Sequence, residues 1–499
     1  MKFGGTSVED ADAFARVANI IGGRKDAHPV VVVSAMSRVT DVLLDSAETA
    51  SRGNYPKALS LVEEVYARYI YAARSLLTSV ELISFAETFE RARREIAELL
   101  KQTTPTRALM RPLLQDVICS YGERLSATLL AAVLRERDLL ARYVDARRLI
   151  ITDEAHTRAA PQLAETFERT RSLLAPFIAQ AEIPVLGGFI GASRSGATTT
   201  LGRNGSDYTA SLVGASLAAS RIEIWTDTDG VLSADPHLVS TARTVAQLSY
   251  GEAATLARYG AKVLFPKTIA PAAEAGIPLS VHNSRRPEAP STIMSAETMK
   301  SAPPVKIITH KTNLMRIHVT RASNSSSKST VACEEHVFPL RVFAALEQHH
   351  IVGDVAILSE QTVSLVLDGS FLRSNLLADL ALLGEVHVEE QRALVCLIGA
   401  GVDESPETVA RVLKIANGSH LSLIAQSNVH LAFITDEAQA AQSVVRLHEM
   451  FFERSANDGS DNDNSDDDSS NDEQQVKARS TMSAASPQSA LSAEAGVIR

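Results

Sequence analysis

The feature that most narrows the fold is the run Pro29-Val30-Val31-Val32-Val33-Ser34-Ala35-Met36. A strand with one wet face alternates apolar and polar residues. A β-branched run without alternation is a strand buried on both faces, as in a parallel sheet covered by helices. Similar runs recur at Ile183–Leu186, Arg221–Thr226 and Ile277–Val281, each ending in small or polar residues. Between them lie helical patterns: Val62, Val65, Tyr66, Tyr69, Ile70, Ala73 and Leu77 share one helical face, and Leu82–Leu100 forms a second amphipathic helix. Strands alternating with helices predict an αβα sandwich around a mainly parallel sheet. In such sheets ligands bind beyond the carboxyl ends of the strands.

Past Pro303-Pro304 the rhythm shortens. Leu314–Val319 reads as a strand, Val337–His349 as a helix, Val352–Leu358 and Thr362–Asp368 as strands, Leu372–Leu383 as a helix and Glu385–Glu389 as a strand. That order, βαββαβ, is a complete ferredoxin-like unit. A second pass comprises Ala393–Gly399, a helix through Val409–Ala416, strands at Leu421–Ile424 and Val429–Ile434, and a helix at Ala438–Phe452. It lacks its last strand. Val305–Thr309 has the right length to supply it, so the first unit is expected to be inserted within the second. The expected domains are then 1–298 for the α/β body, 310–390 for the first small unit, 303–309 plus 391–455 for the second, and 456–499 as a tail. A chain of 499 residues exceeds a single core, which fits several domains.

The tail is Asp, Asn and Ser, then Ser and Ala, without periodicity, and is expected to be disordered. Nine acids against three bases after Ser455 give it a net charge of −6 out of −10 for the chain. The remaining −4 is spread over an ordinary globular composition, 45% hydrophobic and 22% charged. Nucleic acid is not an expected partner, because phosphate contacts demand clustered Lys and Arg. No membrane partner is expected, since no apolar run reaches the roughly 20 residues of a spanning helix. Cys119, Cys333 and Cys396 are widely separated, without metal-type spacing, and read as reduced core thiols of a cytoplasmic protein.

Four segments carry candidate chemistry. Lys2-Phe3-Gly4-Gly5-Thr6-Ser7 sets two glycines after a lysine, suited to close approach by phosphate oxygens and equally to a plain structural turn. Gly187-Gly188-Phe189-Ile190-Gly191, with Thr198–Thr200 and Gly202-Arg203-Asn204-Gly205-Ser206-Asp207, joins a buried strand to a helix start, as in anion-binding loops. Trp225-Thr226-Asp227-Thr228-Asp229-Gly230 ends a strand in carboxylates that could orient Mg²⁺ waters or hold a ribose hydroxyl, or simply form an Asp-Gly turn. Tyr250-Gly251-Glu252 and Tyr259-Gly260-Ala261-Lys262 place a lysine that could reach phosphate, or remain solvated.

Together, in this order, these segments resemble the aspartokinases of the amino-acid kinase family, and the two small units resemble ACT domains, which sense amino acids. Further matches are Val31–Ser37 with Val39-Thr40-Asp41, and Gly122-Glu123-Arg124-Leu125-Ser126. The resemblance runs from Met1 to about Phe452. It implies transfer of phosphate from ATP, with Mg²⁺, to the β-carboxylate of aspartate. Lys2, Gly4 and Gly5 would contact ATP phosphates, and Asp207 would hold Lys2 in place. Ser34 and Thr40 would lie beside the substrate β-carboxylate, Glu123 would pair with its ammonium, and Arg203 would grip its α-carboxylate. Thr226, Asp227, Leu232 and Lys262 would line the nucleotide. In the first ACT unit, Asp354, Ser359 and Glu360 resemble the effector motif of the lysine-sensitive class, and a homodimer or dimer of dimers through the ACT units is implied.

Departures from the family pattern are specific. Arg38 and Asn204 stand where glycine is usual, and His237 where arginine is usual. The strand preceding Lys2 is absent or shortened, and Ser323–Glu335 replaces a short glycine-containing turn. Two rivals therefore stand beside the aspartate kinase reading: another phosphotransferase of the same fold, and a non-catalytic amino-acid sensor built on it.

Overall fold

The computed structural model describes residues 1–103, 111–260, 266–296, 304–321, 337–359, 361–373, 375–415 and 422–453. The β-branched runs become the centre of an eight-stranded sheet. Its order is Ala141–Val144, Ile183–Gly187, Val31–Val33, Lys2–Phe3, Ile222–Thr226, Leu279–Asn283, Thr292–Ser295 and Gln247–Ser249. Every pairing is parallel except that between Leu279–Asn283 and Thr292–Ser295. Val31–Val33 is buried throughout, because helices cover both faces. One face packs Phe3, Val31 and Val33 against the helices Ala11–Gly22, Tyr55–Leu76 and Arg111–Arg135. The other packs Val32, Leu186 and Ile224 against Gly205–Ser216 and Pro266–Glu274.

Arg111–Arg135 is, by length and composition, apolar enough to cross a membrane. It is instead mostly buried inside the protein, wrapped by the sheet and its neighbouring helices. This is the helix that carries Glu123.

The C-terminal strands form one six-stranded antiparallel sheet rather than two separate ones. Its order is Val355–Leu358, Thr362–Asp368, Ile307–Arg321, Gly384–Ile398, His430–Asp436 and Ser422–Ser427. Val305–Thr309 and Leu314–Val319, read as two strands in the sequence, are largely one strand of 15 residues, Ile307–Arg321. Likewise Glu385–Glu389 and Ala393–Gly399 merge into Gly384–Ile398. Ile307–Lys311 pairs with Ile398–Leu394, and Leu314–Arg321 pairs with Arg392–Gly384. Between these stretches the register shifts, and Asn313 and Gln391 take positive φ, +56° and +54°. An irregularity of this kind bends a strand without ending it. Two hydrophobic clusters flank the shared sheet, one around Met315, Phe338 and Leu365, the other around Val395, Phe433 and Val444. The tail 456–499, and with it the expectation of disorder there, lies outside the described residues.

Candidate active site

The carboxyl ends of four neighbouring strands open into one cleft of about 840 Å³. Lys2–Phe3 delivers Gly4 and Gly5, Val31–Val33 delivers Ser34 to Ser37, Ile183–Gly187 leads to Phe189, and Ile222–Thr226 delivers Thr226 to Thr228. Parallel strands aligned this way present their exits on one side, which explains why motifs far apart in sequence meet. The exits are tied to one another: Gly4 N–H donates to the Trp225 carbonyl (3.0 Å), and Ser34 N–H to the Phe3 carbonyl (3.0 Å). Gly4 N–H is therefore committed to the sheet.

The floor holds an ion pair. Lys2 Nζ lies 2.6 Å from Asp207 Oδ1, and both side chains are only about a tenth exposed. Asp207 sits in the first turn of the Gly205–Ser216 helix, whose leading residues line the cleft. Backbone N–H groups and the positive end of the helix dipole therefore face the same space as Lys2. Arg203, just before this helix, is exposed on the cleft and has no ion-pair partner among the described residues. The cleft thus gathers three cations, Lys2, Arg38 and Arg203, and a helix N-terminus, an arrangement able to hold phosphate and carboxylate oxygens.

Opposite in character is Glu123. Its side chain is 3% exposed yet lines the cleft. Burial pushes its carboxyl up to about 8, partly opposed by hydrogen bonds from the Ala35 backbone and its own. Its Oε2 has no hydrogen-bond partner among the described residues. A buried carboxylate without a cation is costly, so a positive group arriving beside it would be strongly favoured. The close approach that places it depends on Gly187, where a Cβ would stand 2.9 Å from Glu123 Cβ.

The structure brings together Lys2, Gly4, Gly5, Ser34, Thr40, Glu123, Arg203, Asp207, Thr226 and Asp227 on this one cleft. Leu232 is not among its walls: it is half-buried in a bridge to Thr244. His237 is also elsewhere, exposed, its N–H held by Asp235 Oδ1 at 2.9 Å. Lys262 lies outside the described residues, as do Glu360 and Ser323–Glu335. Arg38 and Thr40 flank the start of the Val39–Ser51 helix, and Arg38 is held at φ +66°. Sequence reasoning missed Asp116, which also lines the cleft. Its signal was available: it precedes Glu123 by seven residues, two helical turns, and so shares its face.

Asp354 and Ser359 do not line this cleft; they border the edge strand of the six-stranded sheet. Both Asp354 oxygens accept from Lys311 Nζ, at 2.8 and 2.7 Å. Ser359 closes its hairpin through Thr362, accepting from Thr362 N–H at 3.0 Å. Arg258, at the end of the Tyr250–Arg258 helix of the α/β body, donates to the carbonyls of Gly353 and Asp354. Glu252 in the same helix is fully buried; it completes a capping box with Ser249 and accepts from Lys306 (3.0 Å) and Ala400 N–H (2.8 Å). Tyr250-Gly251-Glu252 is thus a joint between body and C-terminal sheet.

Residues 1–283 match the amino acid kinase family. The chain is 33% identical over 464 residues to lysine-sensitive aspartokinase 3 of Escherichia coli K12, covering 91% of this chain and 98% of that protein. It is 34% identical to the chloroplastic aspartokinase 3 of Arabidopsis thaliana, covering 91% and 81%. Among solved structures, E. coli aspartokinase III in complex with aspartate and ADP (R-state) superposes with a TM-score of 0.79 at 32% identity, over 91% of this chain and 99% of that one. The same enzyme with lysine and aspartate (T-state) gives 0.71. A body of the amino acid kinase fold, a C-terminal sheet shared with these relatives and identity above 30% along nine-tenths of the chain establish that it belongs to the aspartokinases.

Proposed function

We propose that the cleft transfers the γ-phosphoryl group of Mg·ATP to the β-carboxylate of L-aspartate, giving 4-phospho-L-aspartate, with the residues above in the roles their positions suit. The observation that carries this assignment is Glu123, a buried carboxylate with an unpartnered oxygen on the same cleft as the Lys2–Asp207 pair and Arg203. Glu123 would receive the substrate ammonium and Arg203 its α-carboxylate, a planar partner that suits a guanidinium. Ser34 and Thr40 would then flank the β-carboxylate. That carboxylate is already ionised at neutral pH, so no general base is required. The obstacle is repulsion between two anions, which Lys2, oriented by Asp207, and the N-terminus of the Gly205–Ser216 helix would relieve. Thr226 and Asp227 would meet the nucleotide.

Among the described residues no group of three or more His, Cys, Asp or Glu could hold a metal ion by itself. Mg²⁺ would arrive on the nucleotide, since that ion is commonly held by phosphates and one or two carboxylates. Asp207 and Asp227, both on the cleft, would be its carboxylate partners, and the ion would neutralise phosphate charge there.

The proposed setting is the cytoplasm and the entry step to lysine, threonine and methionine synthesis; the two described cysteines, Cys119 and Cys396, are buried and unpaired, as expected in a reducing compartment. The proposed domains are the kinase body at 1–298, an inserted ACT unit at 310–390 and a second at 303–309 plus 391–455, supported by the strand pairing of Ile307–Lys311 with Ile398–Leu394. A homodimer through the first unit is supported by its edge strand, Val355–Leu358, and the exposed Leu340, Val352 and Leu358 around it.

A coupled ADP-release assay tests the site. Lys2→Ala should lower kcat by orders of magnitude in a folded protein, because one charge-stabilising donor is typically worth ~3–4 kcal/mol. Glu123→Gln and Arg203→Ala should raise KM for aspartate and leave KM for ATP within a few-fold. A collapse of ATP affinity instead would exchange the substrate and nucleotide assignments.

A further inference from the structure

Asp116 is 1% exposed, two helical turns before Glu123, and its carboxylate is saturated from one direction. Thr200 Oγ1 donates to it at 2.5 Å, Thr157 N–H at 3.0 and 3.1 Å, and His156 Nδ1 lies at 2.8 Å. Two of these three partners belong to the loop between the short strand Ile151–Thr152 and the Leu163–Ala179 helix. Thr157 within that loop is held at φ +70°. A β-branched residue rarely adopts this conformation, and it persists where surrounding contacts over-determine it.

The strained loop backs directly onto the turn that presents Arg203. Ala159 N–H donates to the Thr200 carbonyl at 2.8 Å. The Thr157 carbonyl stands 3.4 Å from where a Cβ on Gly202 would be, and Gly202 itself has φ +77°. Arg203 follows immediately, exposed and without an ion-pair partner among the described residues, so its direction is inherited from the backbone.

We infer that Asp116 is a positioning residue for aspartate recognition: by clamping Thr157 and Thr200 it fixes the Gly202–Arg203 turn, and so where the Arg203 guanidinium meets the substrate. The inference rests on the reading that Arg203 binds aspartate. Asp116→Asn keeps the size of the side chain but replaces one acceptor oxygen by a donor that faces other donors. It should raise KM for aspartate about tenfold or more, a misplacement effect, with KM for ATP nearly unchanged.

Steady-state kinetics of Asp116→Asn, Arg203→Ala, their double variant and Asp116→Asn/Thr157→Gly provide the test. If Asp116 acts through Arg203, the double variant is no worse than Arg203→Ala alone. Glycine reaches φ +70° without strain, so Thr157→Gly should restore part of the aspartate affinity lost in Asp116→Asn, which a purely structural role would not predict. Thr200→Val, which removes one arm only, should raise KM for aspartate a few-fold and serves if Asp116→Asn does not fold. A folded Asp116→Asn or Thr200→Val with unchanged KM for aspartate, or additive losses with Arg203→Ala, overturns the inference while leaving the reading intact. If Arg203→Ala alone leaves KM for aspartate unchanged, the reading falls and the inference with it.

Discussion

Glu123 gives the site a pH signature that a single side chain can be made to reveal. Its folded carboxyl titrates near 8, well above the usual range of an exposed carboxyl, because burial disfavours the charged form. The folded protein therefore keeps a proton that the unfolded chain has lost. The stability tied to this group is fully present below the ordinary glutamate range and is lost as pH rises through about 8. Binding an ammonium reverses the preference, so aspartate should expel this proton near pH 7. Titration calorimetry in buffers of different ionisation enthalpy should record about one proton released per aspartate, and KM for aspartate should fall between pH 6 and 8. Glu123→Gln should abolish both effects; proton release surviving in that variant would place the titrating group elsewhere. Arg38 and Asn204 make a second residue-scale comparison. Both hold positive φ, +66° and +58°, where glycine would be free of strain. Asparagine tolerates this region and arginine does not, so Arg38→Gly should stabilise the protein by up to ~1 kcal/mol while Asn204→Gly stays near neutral. Equal shifts in thermal unfolding for the two would remove backbone strain as the cause.

At the scale of elements, strands were the most legible part of the sequence. A β-branched run such as Val31–Val33 has few alternatives once both faces are apolar, and its partners Ile183–Gly187 and Ile222–Thr226 announce themselves the same way. The C-terminal strand order was legible too, but the fusion of strands into Ile307–Arg321 and Gly384–Ile398 was not. The irregularities at Asn313 and Gln391 look in sequence like turns that end a strand, and only cross-strand pairing shows that they bend it. The site was legible where a motif concentrates glycine and charge, as at Lys2–Gly5 and Gly202–Asp207. It was fainter at Asp116, a buried carboxylate whose only sequence signal is its place two helical turns before Glu123, on the same face. The edge strand Val355–Leu358 carries an element-scale prediction. Three of its four residues are exposed and all are apolar, beside a groove of about 580 Å³ lined by Phe343, Val352 and Ala356. An unpaired apolar edge invites a second strand. If the proposed homodimer forms through this edge, Ile357→Lys and Leu358→Lys together should convert it to a monomer in sedimentation velocity, and a wild type already monomeric at micromolar concentration would refute the interface.

Across the whole molecule, the Tyr250–Arg258 helix is one physical link between the kinase body and the C-terminal sheet, beside the contacts of Ser233 with His448 and of Arg243 with Phe452. At its start Glu252 takes the Lys306 ammonium and the Ala400 N–H; at its end Arg258 takes the carbonyls of Gly353 and Asp354. Arg258 thereby ties the Gly353-Asp354 turn to the helix that follows Gln247–Ser249, the edge strand of the main sheet. The proposed effector residue Asp354 is, in this chain, already engaged by an ammonium of its own, that of Lys311. An amino acid whose ammonium seeks Asp354 must first displace Lys311, and that competition lowers its affinity by whatever the internal pair is worth. The pair is partly exposed, with side chains 28% and 13% accessible, so solvent screening keeps its worth to roughly 1 kcal/mol. Lys311→Met removes the competitor and keeps most of the apolar stem against the sheet. Lysine should then bind about fivefold more tightly by calorimetry, since each 1.4 kcal/mol is tenfold. Inhibition of ADP release by lysine should strengthen by the same factor, because binding and inhibition are linked through one coupling free energy. Unchanged affinity in Lys311→Met would mean that Asp354 does not receive the effector, and heat with threonine in place of lysine would move the chain to a different regulatory class.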